Sequence, residues 1–276
     1  MMEIKIAYQG EPGANSHIAC KMYDENSQSV ALKTFDQVFY SLKNDEVDLA
    51  MIPIENSIAG RVSDIHRLMP TSDVHIIGES FLKVQHCLMS LKDSSIKDIK
   101  SVKSHEMALS QCRKSIIELG LEPIVSADTA GSAREISELK DNSIAAIASP
   151  LAAEIYDLKI LKKDMEDEGH NTTRFLILSK DKSIPDDTIG NYITTLVFKV
   201  KNVPSALYKA LGGFATNGVN MLKLESYQID GSFQSTQFYT DLEGHANSDS
   251  IKNALDELKY YSEEIKILGV YPSSRN

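Results

Sequence analysis

Short apolar runs alternate with segments of helical periodicity from the start of the chain to about Ser179. The runs include IKIAY, VALK, LAMIPI and SIAAIAS, and the helical segments include NSHIACKMY, TFDQVFYSLK and EMALSQCRKSIIELG. Strand-length apolar runs separated by helices are typical of an α/β fold with mainly parallel strands. Two successive sets of such units predict two lobes, with a ligand cleft between them at the carboxyl ends of the strands.

The pattern changes after KDKSIPDDTIGN, a charged and turn-rich segment that is typical of a linker. Beyond it the predicted order is strand YITTLVFKV, helix SALYKALGGFATNG, strands NMLKLESYQI and FQSTQFYTDLEG, helix SDSIKNALDELKYY and strand IKILGVY. This βαββαβ order predicts a compact ferredoxin-like unit. The predicted domains are therefore residues 1–182, which hold the two lobes, and residues 190–276.

Composition narrows the class of protein. The chain has 276 residues, 42% of them hydrophobic, which is enough for domains with proper cores. A formal charge of −10 argues against a nucleic-acid partner, although a few focused donors can still create a local anion site. Cys20, Cys87 and Cys112 lack paired spacing, so we expect reduced thiols. The chain lacks a membrane-length apolar run and a signal peptide's apolar stretch, which predicts a cytoplasmic location and no membrane partner.

Two predicted strand ends carry polar residues before a helix or turn. YQGEPGANS offers Asn15 and Ser16 as a helix start, where free backbone N–H groups favour an anion; an ordinary turn with a capped helix is the alternative. PIENSIAGRV places Glu55, Asn56 and Ser57 in succession. A turn needs fewer polar groups than this, so the second segment favours a functional site.

Two further predicted helix starts are also polar. KSHEMALSQC places Ser104 and His105 at a helix start and Gln111 about two turns along, and a role of Ser104 as N-cap is the structural alternative to a functional one. SADTAGSAR ends a strand with Asp128 and Thr129 before the next helix. Each of these groups also has a purely structural interpretation, as a cap or a solvated helix residue.

The segment GHNTTRFLIL places Thr172, Thr173 and Arg174 directly before an apolar run that we expect to be buried. The planar guanidinium of an arginine can bind both oxygens of a carboxylate, and the alternative is a surface salt bridge to the acidic run KKDMEDEG. The sequence contains no dinucleotide, P-loop or H-E-x-x-H motif. The residues alone therefore predict a two-lobed protein that binds a small anion, without defining a reaction.

The ordered segments PIENSIAG, SHEMALSQC, DTAGSA and NTTRF, followed by a βαββαβ unit that holds LYKAL and KLESY, resemble prephenate dehydratase with a C-terminal ACT regulatory domain. The resemblance covers almost the whole chain. It implies a two-lobed, periplasmic-binding-protein-like catalytic domain followed by a ferredoxin-like ACT domain. It also implies that prephenate loses CO2 and water to give phenylpyruvate in phenylalanine biosynthesis, without a cofactor or a metal.

The same resemblance implies a role for each candidate residue. Thr173 would donate toward the departing hydroxyl, and Arg174 would hold a substrate carboxylate or order its loop. Phe175 would pack against the turn, and His105 would be a pocket residue. The remaining catalytic candidates are Glu55, Asn56, Ser104 and Gln111, and the remaining substrate-binding candidates are Asn15, Ser16, Ser57, Thr129 and Thr172.

In the C-terminal unit the resemblance implies phenylalanine as an allosteric effector and a homodimer or homotetramer. The effector-binding candidates are Ser205, Ala206, Leu207, Glu225 and Ser226. Two motifs depart from the family pattern, because Gly-Ala-Leu is Ser-Ala-Leu here and Glu-Ser-Arg-Pro ends in Tyr227-Gln228. The strength of phenylalanine inhibition therefore stays open.

Two alternatives to prephenate turnover remain. Arogenate dehydratase acts on the amino analogue of the same ring, and the sequence does not separate the two substrates. A non-catalytic sensor is the second alternative, because two-lobed clefts and ACT units also serve as binding modules. The succession Thr173-Arg174-Phe175 together with Glu55-Asn56-Ser57 favours the enzyme, since a sensor needs no leaving-group donor.

Overall fold

The computed structural model describes residues 3–186, 188–228 and 236–275, which form a mixed α/β protein. The strands are β1 (Lys5–Gln9), β2 (Gln28–Leu32), β3 (Leu49–Asn56), β4 (Gly60–Arg61), β5 (His75–Lys83), β6 (Cys87–Ser90), β7 (Ser101–His105), β8 (Glu122–Ser126), β9 (Ile144–Ala148), β10 (Lys159–Lys162), β11 (Thr172–Ser179), β12 (Tyr192–Val200), β13 (Met221–Gln228), β14 (Thr236–Glu243) and β15 (Ser262–Pro272). The helices are α1 (Asn15–Tyr23), α2 (Phe35–Lys43), α3 (Ser63–Thr71), α4 (Glu106–Gln111), α5 (Arg113–Glu118), α6 (Thr129–Leu139), α7 (Pro150–Ile155), α8 (Ala206–Thr216) and α9 (Asp249–Tyr261).

The chain forms two compact units, and each draws on several segments. The first unit consists of Met1–Ser41, Ala50–Val62 and Phe81–Phe175, and the second consists of Leu42–Leu49, Ser63–Ser80 and Leu176–Asn276. The division into functional domains at 1–182 and 190–276 stays a prediction. The described residues between β11 and β12 contain neither helix nor strand, as expected for the linker-like segment.

A five-stranded sheet in the first unit has the order β10-β6-β9-β7-β8. Strand β7 runs parallel to both β8 and β9, whereas β6 runs antiparallel to β9. Both faces are covered, because Ala145 and Ile147 of β9 enter one buried cluster while Ala146 and Ala148 enter another. Burial on both faces explains the continuous apolar run of this strand.

The remaining strands of the first unit bring the other polar segments into position. Strands β1 and β2 pair in parallel, and β3 turns back through Gly60 to pair with β4. Helix α1 begins soon after β1, helix α4 directly after β7, and helix α6 soon after β8. The carboxyl ends of parallel strands share one edge of a sheet, so the starts of α4 and α6 lie at the same edge.

The second unit contains the predicted β-α-β-β-α-β order from β12 to β15. Its sheet has the order β13-β14-β12-β15 with antiparallel pairing throughout these four strands. Side chains from α8 and α9, including Phe214 and Leu258, pack on Leu196, Phe198 and Leu242 of the sheet. The helices therefore cover one face of the sheet and bury the apolar positions that alternate along its strands.

Cys20, Cys87 and Cys112 are buried free thiols, as the sequence predicted. Among residues 3–186, 188–228 and 236–275, the structure contains no helix that is long and apolar enough to cross a membrane.

Candidate active site

A cavity of about 360 Å³ in the first unit brings together polar residues from widely separated segments. Its lining includes six of the residues to which the resemblance assigns a catalytic or binding role, namely Asn15, Asn56, His105, Gln111, Thr129 and Thr173. They come from α1, β3, β7, α4, α6 and β11, respectively. This cavity is the candidate active site.

Asn56 holds the Thr173 hydroxyl in a defined orientation. The Asn56 Nδ2 donates to Thr173 Oγ1 at 3.0 Å and to Asn171 Oδ1 at 2.7 Å. The Asn56 Oδ1 accepts from the backbone N–H groups of Ile58 and Ala59, which fixes the orientation of the amide. Because Thr173 Oγ1 accepts here and donates to no other described residue, its hydrogen is available to a ligand in the cavity.

Two helix N-termini border the same cavity. Helix α1 begins at Asn15, and helix α6 begins at Thr129 after its N-cap Asp128. The Asp128 Oδ1 accepts from the Gly131 backbone N–H at 2.5 Å. The positive ends of the helix dipoles and the first N–H groups favour a bound anion. Among the described residues that line the cavity there is no lysine or arginine, and the Asp128 carboxylate already occupies the N-terminus of α6, so the uncapped N-terminus of α1 is the better of the two for an anion.

The start of α4 differs from the sequence expectation. His105, rather than Ser104, is the N-cap, and its Nδ1 accepts from the Met107 backbone N–H at 3.2 Å. The interpretation of Ser104 as the cap is therefore wrong, because β7 extends through His105 before the helix begins. Ser104 is fully buried, and its Oγ donates to the Ile147 carbonyl at 2.6 Å. That hydrogen bond joins β7 to β9, and Ser104 does not line the cavity.

Arg174 and Glu55 lie in a separate cavity of about 250 Å³, next to the larger one. Arg174 is 2% exposed, and its Nη1 donates to Glu55 Oε1 at 3.0 Å. Asn56 lines both cavities, whereas Arg174 does not line the larger one. Of the two predicted roles for Arg174, this geometry favours ordering of the loop through Glu55.

The same loop is fastened to the start of β11 by backbone and hydroxyl groups. Ser57 Oγ donates to the His170 carbonyl at 2.8 Å and accepts from the Thr172 backbone N–H at 2.9 Å. Thr172 lines the smaller cavity, and Phe175 is buried. Ser16 is also nearly buried, in the first turn of α1, and lines neither cavity. These residues support the site rather than face its interior.

Two residues that hydrogen-bond to Gln111 in the site, His86 and Asn171, were not among the candidates selected from the sequence. His86 and Asn171 both line the larger cavity, and both hydrogen-bond to Gln111 Oε1. Asn171 stands beside the predicted threonines, so its position in the chain was a usable signal. His86 lies between β5 and β6, far in sequence from the other candidates, and nothing in its surroundings distinguished it.

A cavity of about 570 Å³ in the second unit includes three of the five effector candidates, Ser205, Ala206 and Leu207. Ser205 has φ of +63° and occupies the N-cap position of α8. Lys199, Lys201 and Glu263 line the same cavity, and Lys199 Nζ forms an ion pair with Glu263 Oε2 at 2.9 Å. Glu225 and Ser226 lie on β13 and do not line it.

The loop before α1 depends on a glycine. Gly13 has φ of +90°, and a Cβ there would lie 2.7 Å from the Cα of Ala152. Gly13→Ala is therefore expected to lower the free energy of unfolding and to displace Asn15 from the cavity. Gly60→Ala is the matched comparison, because Gly60 has φ of +81° with nothing near a built Cβ.

The clash should make Gly13→Ala less stable than Gly60→Ala by about 1–3 kcal/mol, the usual cost of overpacking. Urea denaturation of the two variants measures this difference. Equal stabilities would mean that the loop moves away from α7 at no cost.

Comparisons with known proteins bear on this site. A family model described as prephenate dehydratase matches residues 6–183. A bifunctional N-acyl-homoserine lactone acylase/prephenate dehydratase from Komagataeibacter europaeus is 46% identical over 98% of this chain and 96% of its own. Arogenate dehydratase/prephenate dehydratase 2 from Arabidopsis thaliana is 36% identical over 98% of this chain and 73% of its own.

Solved structures include a prephenate dehydratase from Arthrobacter aurescens in complex with L-Phe. It superposes with a TM-score of 0.91 at 27% identity and covers 98% of this chain and 90% of its own. Fold, site and relatives together define a dehydratase, which is a lyase. Within that class the chain belongs to the prephenate dehydratase family.

Proposed function

We propose that the protein converts prephenate to phenylpyruvate. The observation that carries this proposal is the Thr173 hydroxyl, which accepts from Asn56 and keeps its own hydrogen for a ligand in the cavity. Membership of the prephenate dehydratase family supplies the substrate. The arogenate and prephenate activities in the name of the Arabidopsis relative keep arogenate as the alternative substrate.

In the proposed reaction the bond between the ring and its carboxylate breaks, and CO2 leaves. That electron pair enters the ring as the bond to the hydroxyl oxygen breaks, so the ring becomes aromatic and hydroxide leaves as water. The departing oxygen needs a proton or strong hydrogen bonds, which Thr173 would provide from the cavity wall. A threonine hydroxyl is a weak acid, so its polarisation by the Asn56 amide and its neighbours would contribute.

The cavity would also orient the two carboxylates of the substrate. The N-terminus of α1, which has no side-chain cap, borders it and would receive negative charge, whereas at α6 the Asp128 carboxylate already caps the helix. The Gln111 amide would donate to a further substrate oxygen. Holding the dianion in one orientation reduces the entropic part of the barrier.

We further propose a catalytic domain at 1–182 with two lobes of the periplasmic-binding-protein type, and an ACT domain at 190–276. The effector would be L-phenylalanine, bound in the cavity at Ser205, Ala206 and Leu207. The L-Phe complex of the Arthrobacter relative and the β-α-β-β-α-β order support this assignment. The homodimer or homotetramer and the cytoplasmic location stay predictions.

A second candidate function follows from the bifunctional relative. The Komagataeibacter protein carries an N-acyl-homoserine lactone acylase activity in its name and is 46% identical over nearly the whole of both chains. Hydrolysis of the amide bond in an N-acyl-homoserine lactone would release a carboxylic acid and the homoserine lactone amine. This activity is proposed in addition to dehydration.

The test is spectroscopic detection of phenylpyruvate from prephenate by purified protein, with and without L-phenylalanine. Parallel assays follow phenylalanine formation from arogenate and acid release from an N-acyl-homoserine lactone. Turnover of prephenate above arogenate is the expected result, and inhibition by L-phenylalanine but not by L-alanine is expected if the effector site functions. Turnover of arogenate alone would reassign the substrate, and binding of prephenate without turnover would favour the sensor.

A further inference from the structure

His86 contacts the site through the side-chain oxygen of Gln111. His86 is 4% exposed and lies between β5 and β6. Its Nε2 is 3.0 Å from Gln111 Oε1, and the same oxygen accepts from Asn171 Nδ2 at 2.9 Å. Two neighbouring side chains therefore converge on one amide oxygen.

The roles of donor and acceptor in this contact follow from the chain of amides. Asn56 donates to Asn171 Oδ1, so the other end of the Asn171 amide is its donor, and Gln111 Oε1 accepts from it. An amide oxygen only accepts, so His86 donates through Nε2–H. Burial lowers the pKa of His86, while its hydrogen bond with Gln111 and the charge of Glu166 act in the opposite direction. The imidazole is accordingly neutral at pH 7, with its hydrogen on Nε2.

The backbone of His86 is held independently of this contact. Its N–H donates to Glu166 Oε2 at 2.9 Å, and its carbonyl accepts from the Met165 backbone N–H at 2.9 Å. The ring thus extends toward Gln111 from a fixed point. A fixed donor restricts the amide more than a mobile one, because less side-chain entropy opposes the hydrogen bond.

The consequence for Gln111 is a single amide orientation. A rotation of the Gln111 amide by 180° would lose both hydrogen bonds that Gln111 Oε1 accepts. It would also turn the Gln111 N–H groups toward the N–H groups of His86 and Asn171. In the observed orientation, Gln111 Nε2 donates to none of the described residues, and the Gln111 side chain lines the cavity. Its two N–H groups are thus available to a substrate oxygen.

We propose that His86 is a positioning residue for the dehydration: by donating to Gln111 Oε1, it aims the Gln111 N–H groups at the substrate. This inference rests on the proposed function. Asn171 connects the Gln111 amide to Asn56, and Asn56 in turn donates to the Thr173 hydroxyl. The two proposed donors to the substrate, Gln111 and Thr173, therefore belong to one hydrogen-bonded chain. His86 ends that chain on the side opposite Thr173.

A double-mutant cycle tests whether His86 acts through Gln111. kcat and KM for prephenate are measured for wild type, His86→Leu, Gln111→Ala and the double variant, with the melting temperature of each. His86→Leu is expected to lower kcat by about 10- to 100-fold, the scale of a misplaced catalytic contact. In the Gln111→Ala background the same change should have no further effect. His86→Gln keeps a donor near the Nε2 position and should restore most of kcat.

If the fold-losses in kcat of the two single variants multiply in the double variant, the proposal is overturned, because His86 then acts independently of Gln111. The proposal is also overturned if His86→Gln and His86→Leu both fold and have the same low kcat. A measurement on wild-type protein covers the case in which His86→Leu does not fold. Nitrogen-15 NMR of the histidine rings should show His86 protonated at Nε2 and neutral, and protonation at Nδ1 alone would overturn the proposal. If wild type turns over neither prephenate nor arogenate, the proposed function fails, and the NMR result alone decides whether His86 orients Gln111.

Discussion

Thr173→Val is expected to lower kcat for prephenate by about 10²- to 10⁴-fold, the usual contribution of a positioned proton donor. Valine keeps the β-branched shape that suits strand β11 and removes only the hydroxyl. The hydrogen that faces the cavity is lost, and the hydrogen bond from Asn56 is lost with it. The melting temperature should change little, because Thr173 is partly exposed in the cavity. Steady-state kinetics with thermal unfolding measures both quantities.

Thr172→Val is the matched control on the preceding residue of the same strand. Thr172 faces the smaller cavity, and its contact with Ser57 runs through the backbone N–H, which valine retains. Its kcat should fall by less than about tenfold, well below the range for a lost proton donor. Equal losses in the two variants would contradict the assignment of Thr173 as the donor. Retained activity in Thr173→Val would place the donor elsewhere in the cavity.

Local signals predicted much of the fold. The predicted helical segment TFDQVFYSLK illustrates this, since Thr34 and Gln37 have the spacing of a capping box, the Gln37 backbone N–H donates to Thr34 Oγ1 at 3.2 Å, and helix α2 begins at Phe35. The apolar run of β9 and the alternating pattern of the C-terminal strands likewise follow from which faces are buried. Capping and periodicity act over a few residues, so they can be recognised without knowledge of the tertiary structure.

The candidate site was predicted in part for the same reason. Asn15, Asn56 and Thr129 stand at strand ends or helix starts, where a polar group is noticeable from the pattern alone. The hydrogen bonds that define the site are long-range, however, and Asn56 and Thr173 are 117 residues apart. Which nitrogen or oxygen of an amide faces the cavity depends on such partners, so no local pattern predicts it.

The Ser104 result has a similar cause. A serine before a helical pattern is a good N-cap, but a histidine can also accept from the second helical N–H. The choice between Ser104 and His105 depends on how far β7 continues to pair with β8, and the register carries the pairing through His105 and Ser126. The sheet therefore sets the start of α4, and the strand's alternation turns Ser104 into the buried layer.

Arg174→Met is expected to lower the free energy of unfolding by about 1–3 kcal/mol, the usual cost of losing a hydrogen bond between charged groups, because the remaining Glu55 side chain is 30% exposed. Arg174 is 2% exposed and donates to Glu55 at 3.0 Å, so the variant removes this charge-assisted hydrogen bond to the carboxylate. Glu55 directly precedes Asn56 in β3, so kcat should fall as well when the loop loosens. Chemical denaturation and steady-state kinetics on the same preparations measure the two losses.

The double variant Glu55→Gln, Arg174→Met distinguishes two roles of Arg174, namely ordering the loop through Glu55 and binding a substrate carboxylate. If Arg174 orders the loop through Glu55, removing the carboxylate charge should recover part of the lost stability, because no charge is then left facing the apolar replacement. If Arg174 instead binds a substrate carboxylate, Arg174→Met should raise KM with little change in stability, and Glu55→Gln should not alter that effect. Arg174→Lys tests the role of the planar guanidinium, because the lysine ammonium keeps the positive charge but cannot form two parallel hydrogen bonds to a carboxylate. Activity close to wild type in the lysine variant would mean that the positive charge beside Glu55, rather than the guanidinium geometry, keeps Asn56 and Thr173 in place.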